Sequence, residues 1–243
     1  MEAEPYSLRD RRFWQLSFGL MLASVFVFSN LYVIQPILPL LAKQFNVSAT
    51  ESSLLFSVAS FSLMISLLAF GFISDRIGRL GILKWTLVLS SIPLFLMPMV
   101  ESFYTLVLLR LFVGIFSAGL PAVAVAYITE EVAPNSRGLA VTIYIASNAL
   151  GGMAGRVFGG SWADAYTWES SFYVLGVFGL IISALCVMVL PKSQYFVSSK
   201  QPYSQDLKGM FIHLKNPMLI YAFIFGMMIQ VSFSGIWVYL PFY

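Results

Sequence analysis

Charge is what this sequence has least of. Only 10% of its 243 residues are Asp, Glu, Lys or Arg, where a water-facing domain carries roughly 25%. That is too few to cover a solvated surface, which excludes an ordinary soluble domain. Cysteine occurs once, as Cys186, and this excludes an internal disulfide or a thiolate metal cluster. In its apolar run Cys186 reads as a small buried hydrophobe. Histidine also occurs once, as His213 in a polar segment, where it reads as a solvated interfacial residue. The net charge of +3 is modest and the basic residues form no stripe, so nucleic acid is not an expected partner. No nucleophile–base pair, phosphate-cradling loop or metal cluster stands out, so neither an enzyme nor a bound cofactor is expected.

Apolar sequence is what fills the chain. Hydrophobic residues make up 59% and the mean hydropathy is +0.84, which places it in a lipid bilayer. A helix needs about 20 apolar residues to cross the hydrocarbon core. Six such runs are present and a seventh is begun, near 13–38, 51–72, 81–100, 104–128, 138–160, 170–190 and 217–243. The first run is long and no small-residue cleavage site follows it, so it reads as an anchor and not as a signal peptide.

Of the fourteen Lys and Arg residues, eleven fall on one side of this arrangement. They are Arg9, Arg11, Arg12, Arg76, Arg79, Lys84, Arg137, Lys192, Lys200, Lys208 and Lys215. Only Lys43 lies on the other side, and Arg110 and Arg156 fall within spans. Positive residues stay cytoplasmic, so the N-terminus is expected inside. The connection 191–216 is the longest polar stretch and reads as a linker between a bundle at 1–190 and a seventh helix at 217–243. Within the linker, Leu207, Met210, Phe211 and Leu214 recur at helical spacing, which predicts a short amphipathic helix on the membrane surface.

A short internal repeat agrees with the span count. Ser29, Tyr32 and Pro36 at the end of span one match Ser234, Trp237 and Pro241 at the end of span seven. Parallel six-helix halves would leave such a trace.

Three segments carry motifs. Gly71-Phe-Ile-Ser-Asp75-Arg76-Ile-Gly78-Arg79 joins spans two and three. Its glycines would allow close helix approach and a tight reversal. A carboxylate at the membrane edge is costly unless paired, so Asp75 is expected to join Arg76 and Arg79 in an ion-pair network, with Glu130 or Glu131 as a further acidic member. In span four, Arg110, Gly114 and Ser117 share one helical face. An arginine at this depth costs at least ~2.5–3.5 kcal/mol, so it must face a watery cavity, a carboxylate such as Glu51, or backbone carbonyls. In span five, Gly151, Gly155 and Gly159 form a smooth stripe suited to helix contact. Asn148, Gly152, Arg156 and Gly160 form the neighbouring stripe.

The loop resembles the G-x-x-x-D-R-x-G-R turn of the major facilitator superfamily. Span four resembles the family's R-x-x-q-G pattern, with Val113 in place of glutamine. Span five resembles the antiporter motif g-x-x-x-G-P-x-x-G-G, with Arg156 in place of proline. Trp162, Asp164, Trp168 and Phe172 are similar to the outer loop that follows. The resemblance covers nearly the whole chain and implies an all-α membrane protein: the N-terminal six-helix bundle, plus a seventh helix, of a bacterial twelve-helix drug:proton antiporter-type efflux permease. The matching C-terminal bundle is expected as a partner absent from this chain.

What the resemblance implies about function is proton-coupled export of small amphipathic compounds across the bacterial inner membrane by alternating access. Export or uptake of an organic anion, or a non-transporting membrane module, are the competing expectations. Gly71, Asp75, Arg76, Gly78, Arg79, Glu130 and Glu131 would gate. Asn30, Tyr32, Gln35, Arg110, Asn148 and Arg156 would meet substrate or couple protons. Gly151, Gly155, Gly159 and Gly160 would pack helices. Without the motif's proline the kink in span five should weaken, and Arg156 raises the expectation of an anionic or zwitterionic substrate.

Overall fold

A computed structural model describes residues 5–199 and 216–242, so the expected amphipathic helix at 203–215, with His213, lies outside the described residues. Among the described residues, seven helical segments are long and apolar enough to cross a membrane. They are span one (Arg11–Tyr32), span two (Ala49–Ile77), span three (Arg79–Met99), span four (Phe103–Glu131), span five (Pro134–Ala165), span six (Trp168–Val189) and span seven (Pro217–Phe242). The first six form an all-helical bundle and the seventh lies against it.

Span one stops earlier than the apolar run suggests. Residues 33–37 form turns before a short helix, Leu38–Gln44. Pro36 has no N–H to continue the ladder, and Pro39 sits at the start of the short helix, where that loss is harmless. Span two opens with a capping box in which Ser48 and Glu51 satisfy each other's backbone N–H groups. It ends at Gly78, whose φ of 102° lies where only glycine is unstrained. Span four breaks at Ala118, between helical segments Phe103–Ser117 and Gly119–Glu131. Pro121 follows three residues later and cannot donate to Ser117, which accounts for the break.

Span five is one uninterrupted helix of 32 residues, as expected where arginine replaces the motif's proline. It packs most extensively against span one, and the glycine stripe is the reason. A Cβ added at Gly151 would lie 2.7 Å from the Val25 carbonyl oxygen, at Gly155 2.5 Å from that of Ser29, and at Gly159 2.5 Å from that of Val33. Successive turns of span five thus meet successive turns of span one, and the two helices run parallel with backbones in contact. The Ser29 hydroxyl donates to the Gly151 carbonyl at 2.9 Å, using the close approach. Gly160 lies off this seam, beside Pro36.

At the end of the bundle away from Gly78, the Trp168 indole donates to Gln44 at 2.5 Å and fixes the short helix against the start of span six. The outward faces carry exposed Trp85, Tyr104 and Met188, the surface a lipid-facing bundle presents. Span seven is packed lightly, and Val238 is its one buried residue among those described.

Candidate solute cavity and charged loop

Spans one, five and seven line a half-open cavity of about 600 Å³. Span one contributes Phe28 and Tyr32, the turn after it Pro36, span five Asn148, Gly152 and Arg156, and span seven Phe233, Trp237 and Pro241. The wall is mostly apolar, with few polar points, the composition of a small-molecule site. A second hollow of about 420 Å³ lies across Phe28 and Tyr32, between spans one, two and seven, and adds Ser57, Ser60 and Gln230. Tyr32 stands in the wall of both.

Arg156 is the cation in the larger cavity. Its Nε donates to Gln35 Oε1 at 2.7 Å and its Nη1 to the Gly152 carbonyl at 3.1 Å. Its Nη2 is buried with no hydrogen-bond partner among the described residues. The guanidinium lies 4.1 Å from the Tyr32 ring centroid, 4.8 Å from that of Trp237 and 5.4 Å from that of Phe233, within the range of cation–π attraction. Tyr32 and Trp237 are the matching aromatics of the two repeat segments, and both rings stand over Arg156. Asn148, two turns before Arg156, accepts a hydrogen bond from Ser24 and lines the same wall.

Two other expected cavity residues are placed elsewhere. Arg110 is fully buried, and it faces neither a cavity nor Glu51. Its Nε donates to the Leu55 carbonyl at 3.0 Å, Nη1 to that of Asn30 at 3.0 Å and Nη2 to that of Leu31 at 2.7 Å. The last carbonyls of a helix have no intrahelical donor, so Arg110 acts as a side-chain cap on span one. Gly114, on the same face, lies directly against the Ala59 carbonyl and Ser62 of span two, leaving no room for a cavity. Asn30 is also fully buried and donates to the Ser90 carbonyl of span three at 3.1 Å. Both residues tie span one to its neighbours.

In the charged loop, Asp75, Arg79 and Glu130 form an ion-pair network. Arg79 pairs with Asp75 one turn earlier and donates from Nε and Nη2 to Glu130 Oε1 at 3.1 and 2.8 Å. Arg79 Nη1 also meets the Ser74 hydroxyl at 2.7 Å, and Arg76 Nη1 donates to the Phe72 carbonyl at 3.0 Å. Gly71 gives no close approach: a Cβ there would meet nothing among the described residues within 4 Å.

Glu131 stands apart from the Arg79 network. It is fully buried, and one carboxylate oxygen accepts from Ser193 Oγ and Gln194 N at 2.7 Å and from Tyr195 N at 3.1 Å. It therefore tethers the segment after span six. That segment continues across the loop, where Ser198 Oγ donates to the Arg76 carbonyl and Ser199 N to that of Asp75, each at 2.8 Å. From the other side, Tyr6 exchanges backbone hydrogen bonds with Glu131 and Ala133 at 2.8 and 2.9 Å. Burial, and then the Glu131 carboxylate, hold the Tyr6 phenol above its ordinary pKa.

Sequence reasoning missed the Glu131 tether and the rings of Phe28 and Phe233. One carboxylate beside another at a helix end carries no signal for which turns inward, and phenylalanine is too common here to mark a wall. Trp237 was flagged by the repeat.

The sequence profile described as "Major Facilitator Superfamily" matches residues 20–243. An uncharacterized transporter of Buchnera aphidicola subsp. Schizaphis graminum is 37% identical over 96% of the chain and 56% of its own length. The inner membrane transport protein YnfM of Escherichia coli K12 is 31% identical over 94% of the chain and 55% of its own length. The chain thus spans just over half the length of these relatives. Among solved structures, an inward-facing, occupied bacterial homologue of the human lysosomal transporter Spinster superposes with a TM-score of 0.71 at 19% identity, over 80% of this chain and 48% of the other. The match over most of the chain, the bundle and its seventh span agree: this chain belongs to the Major Facilitator Superfamily, as a multi-pass membrane protein.

Proposed function

We propose that the chain forms the N-terminal wall of a secondary active transporter that exports small amphipathic solutes by alternating access. The observation that carries this is the cavity between spans one, five and seven, apolar for most of its wall and polar at Asn148 and Arg156. In such transporters the solute site lies between two bundles, and span seven belongs to the second by the repeat it shares with span one. A further bundle would supply the rest of the wall. The Asp75–Arg79–Glu130 network, at the cytoplasmic face of the inner membrane in this reading, would hold one of the alternating states. Proton coupling enters from the family resemblance alone, since no carboxylate among the described residues sits in this cavity.

Dye accumulation in bacterial cells producing the full-length transporter tests the proposal. The dyes should be amphipathic and span anionic, neutral and cationic forms. Production should lower accumulation of at least one dye. Gly152→Trp, which fills the cavity beside Tyr32, should abolish that effect at equal membrane abundance. Gly138→Trp, where a Cβ meets nothing among the described residues within 4 Å, should leave it intact. Equal efflux by the parent and Gly152→Trp would place the solute path elsewhere.

A further inference from the structure

We propose that Arg156 and Gln35 form an anchor for a carboxylate, so that the solute is an amphipathic organic anion with a flat apolar body. This rests on the transporter reading above and gives it a substrate class.

The donors around Arg156 outnumber the acceptors. Nε and Nη1 are used by Gln35 and Gly152, and Nη2 is buried with no partner. Because Arg156 Nε can only donate, Gln35 must turn its Oε1 toward it. That fixes the amide orientation and leaves Gln35 Nε2, in a fully buried side chain, also without an acceptor. Two buried donors therefore lack acceptors among the described residues, one on Arg156 in the cavity wall and one on Gln35 behind it. A buried donor without a partner costs about 1–3 kcal/mol, more when charged. No described carboxylate lines the cavity or pairs with Arg156. A ligand carboxylate supplies the two missing acceptors and the missing negative charge, in the planar geometry that guanidinium matches.

The surroundings select the body of the ligand. Phe28, Tyr32, Phe233 and Trp237 offer ring faces, and Pro36 and Val157 offer flat apolar wall. A cationic solute in the same space would be repelled by Arg156 and could take only part of the ring surface. The rings of span seven now cover the guanidinium, so an entering carboxylate must displace Trp237 or Phe233. Span seven carries both of these rings, so displacing them moves it away from span five. Anion binding at Arg156 would thereby loosen span seven from span five, the kind of differential contact that links occupancy to a change of state.

Calorimetric titration of the purified full-length transporter in detergent tests this with three matched probes: 2-naphthoate, 2-naphthamide and 2-naphthylmethylammonium. The naphthoate should bind about tenfold more tightly than the amide, the order of one charge-assisted contact, and the ammonium most weakly. Arg156→Gln should bring naphthoate to the amide's affinity, and Arg156→Lys should keep part of the preference. The ranking of probes on the unsubstituted transporter needs no variant, so a misfolded variant does not shield the proposal. Equal affinity for the three probes, tightest binding of the ammonium, or no naphthoate binding would overturn it. Those results would leave dye export sensitive to Gly152→Trp standing, so this proposal and the transporter reading fail separately.

Discussion

Arg110 and Arg156 both carry a guanidinium into the spans, and their partners differ. Every nitrogen of Arg110 donates to a carbonyl, and two of these carbonyls belong to the last turn of span one. Arg156 has one nitrogen without an acceptor, a neutral amide for its nearest polar partner, and rings over its face. One arginine completes the fold. The other keeps an unmet donor beside a cavity, and an unsatisfied buried group calls for an explanation. Under the anchor proposed above, one residue type supports stability in one span and recognition in the next.

The comparison breaks most visibly at Arg110. Arg110→Ala should cost about 3 kcal/mol or more, because it strips buried carbonyls of charge-assisted hydrogen bonds worth about 1.5–3 kcal/mol each and removes a large buried side chain. Unfolding of the chain in mixed micelles would show it, together with loss of monodisperse protein. Arg110→Lys should recover little, because a single ammonium cannot reach carbonyls on spans one and two together. A stability close to that of the parent would mean that the cap on span one contributes little.

A smaller effect is expected at the seam that positions both arginines' partners on span one. Gly155→Leu should cost about 1–3 kcal/mol by forcing the backbones apart, since its Cβ would meet Ser29 backbone atoms at 2.5–2.6 Å. Gly138→Leu should stay within about 0.5 kcal/mol. The same unfolding measurement ranks the two, and equal values would refute the packing role given to the stripe.

The smallest change in stability is expected at Arg156. Arg156→Gln should alter unfolding by less than about 1 kcal/mol, because it removes an unmet donor along with two modest hydrogen bonds. A loss as large as that of Arg110→Ala would erase the distinction between the two residues and assign Arg156 to the scaffold.

Much of this was legible in the residues. The stripe Gly151, Gly155 and Gly159 announced close contact, and the partner helix has one carbonyl facing each glycine. The pairing of Asp75 with Arg79 followed from their spacing at the end of a span. Glu130 against Glu131 was not legible, because adjacent residues on a helix point about 100° apart and only the position of the neighbouring segments decides which turns inward. Arg110 was read as cavity-lining on a shared face with Gly114. That face turned out to be where spans two and four touch, and the glycine there serves contact.

The sequence by itself determined the membrane class, seven spans, the span five stripe and the charged loop. These follow from run length, hydropathy and local spacing, which act along the chain. Only the tertiary structure decided which buried arginine is satisfied, that Tyr32 and Trp237 meet over Arg156, and that Glu131 holds the segment after span six. Those depend on the approach of helices far apart in sequence, where a shift of one helical face exchanges a carbonyl for an open cavity.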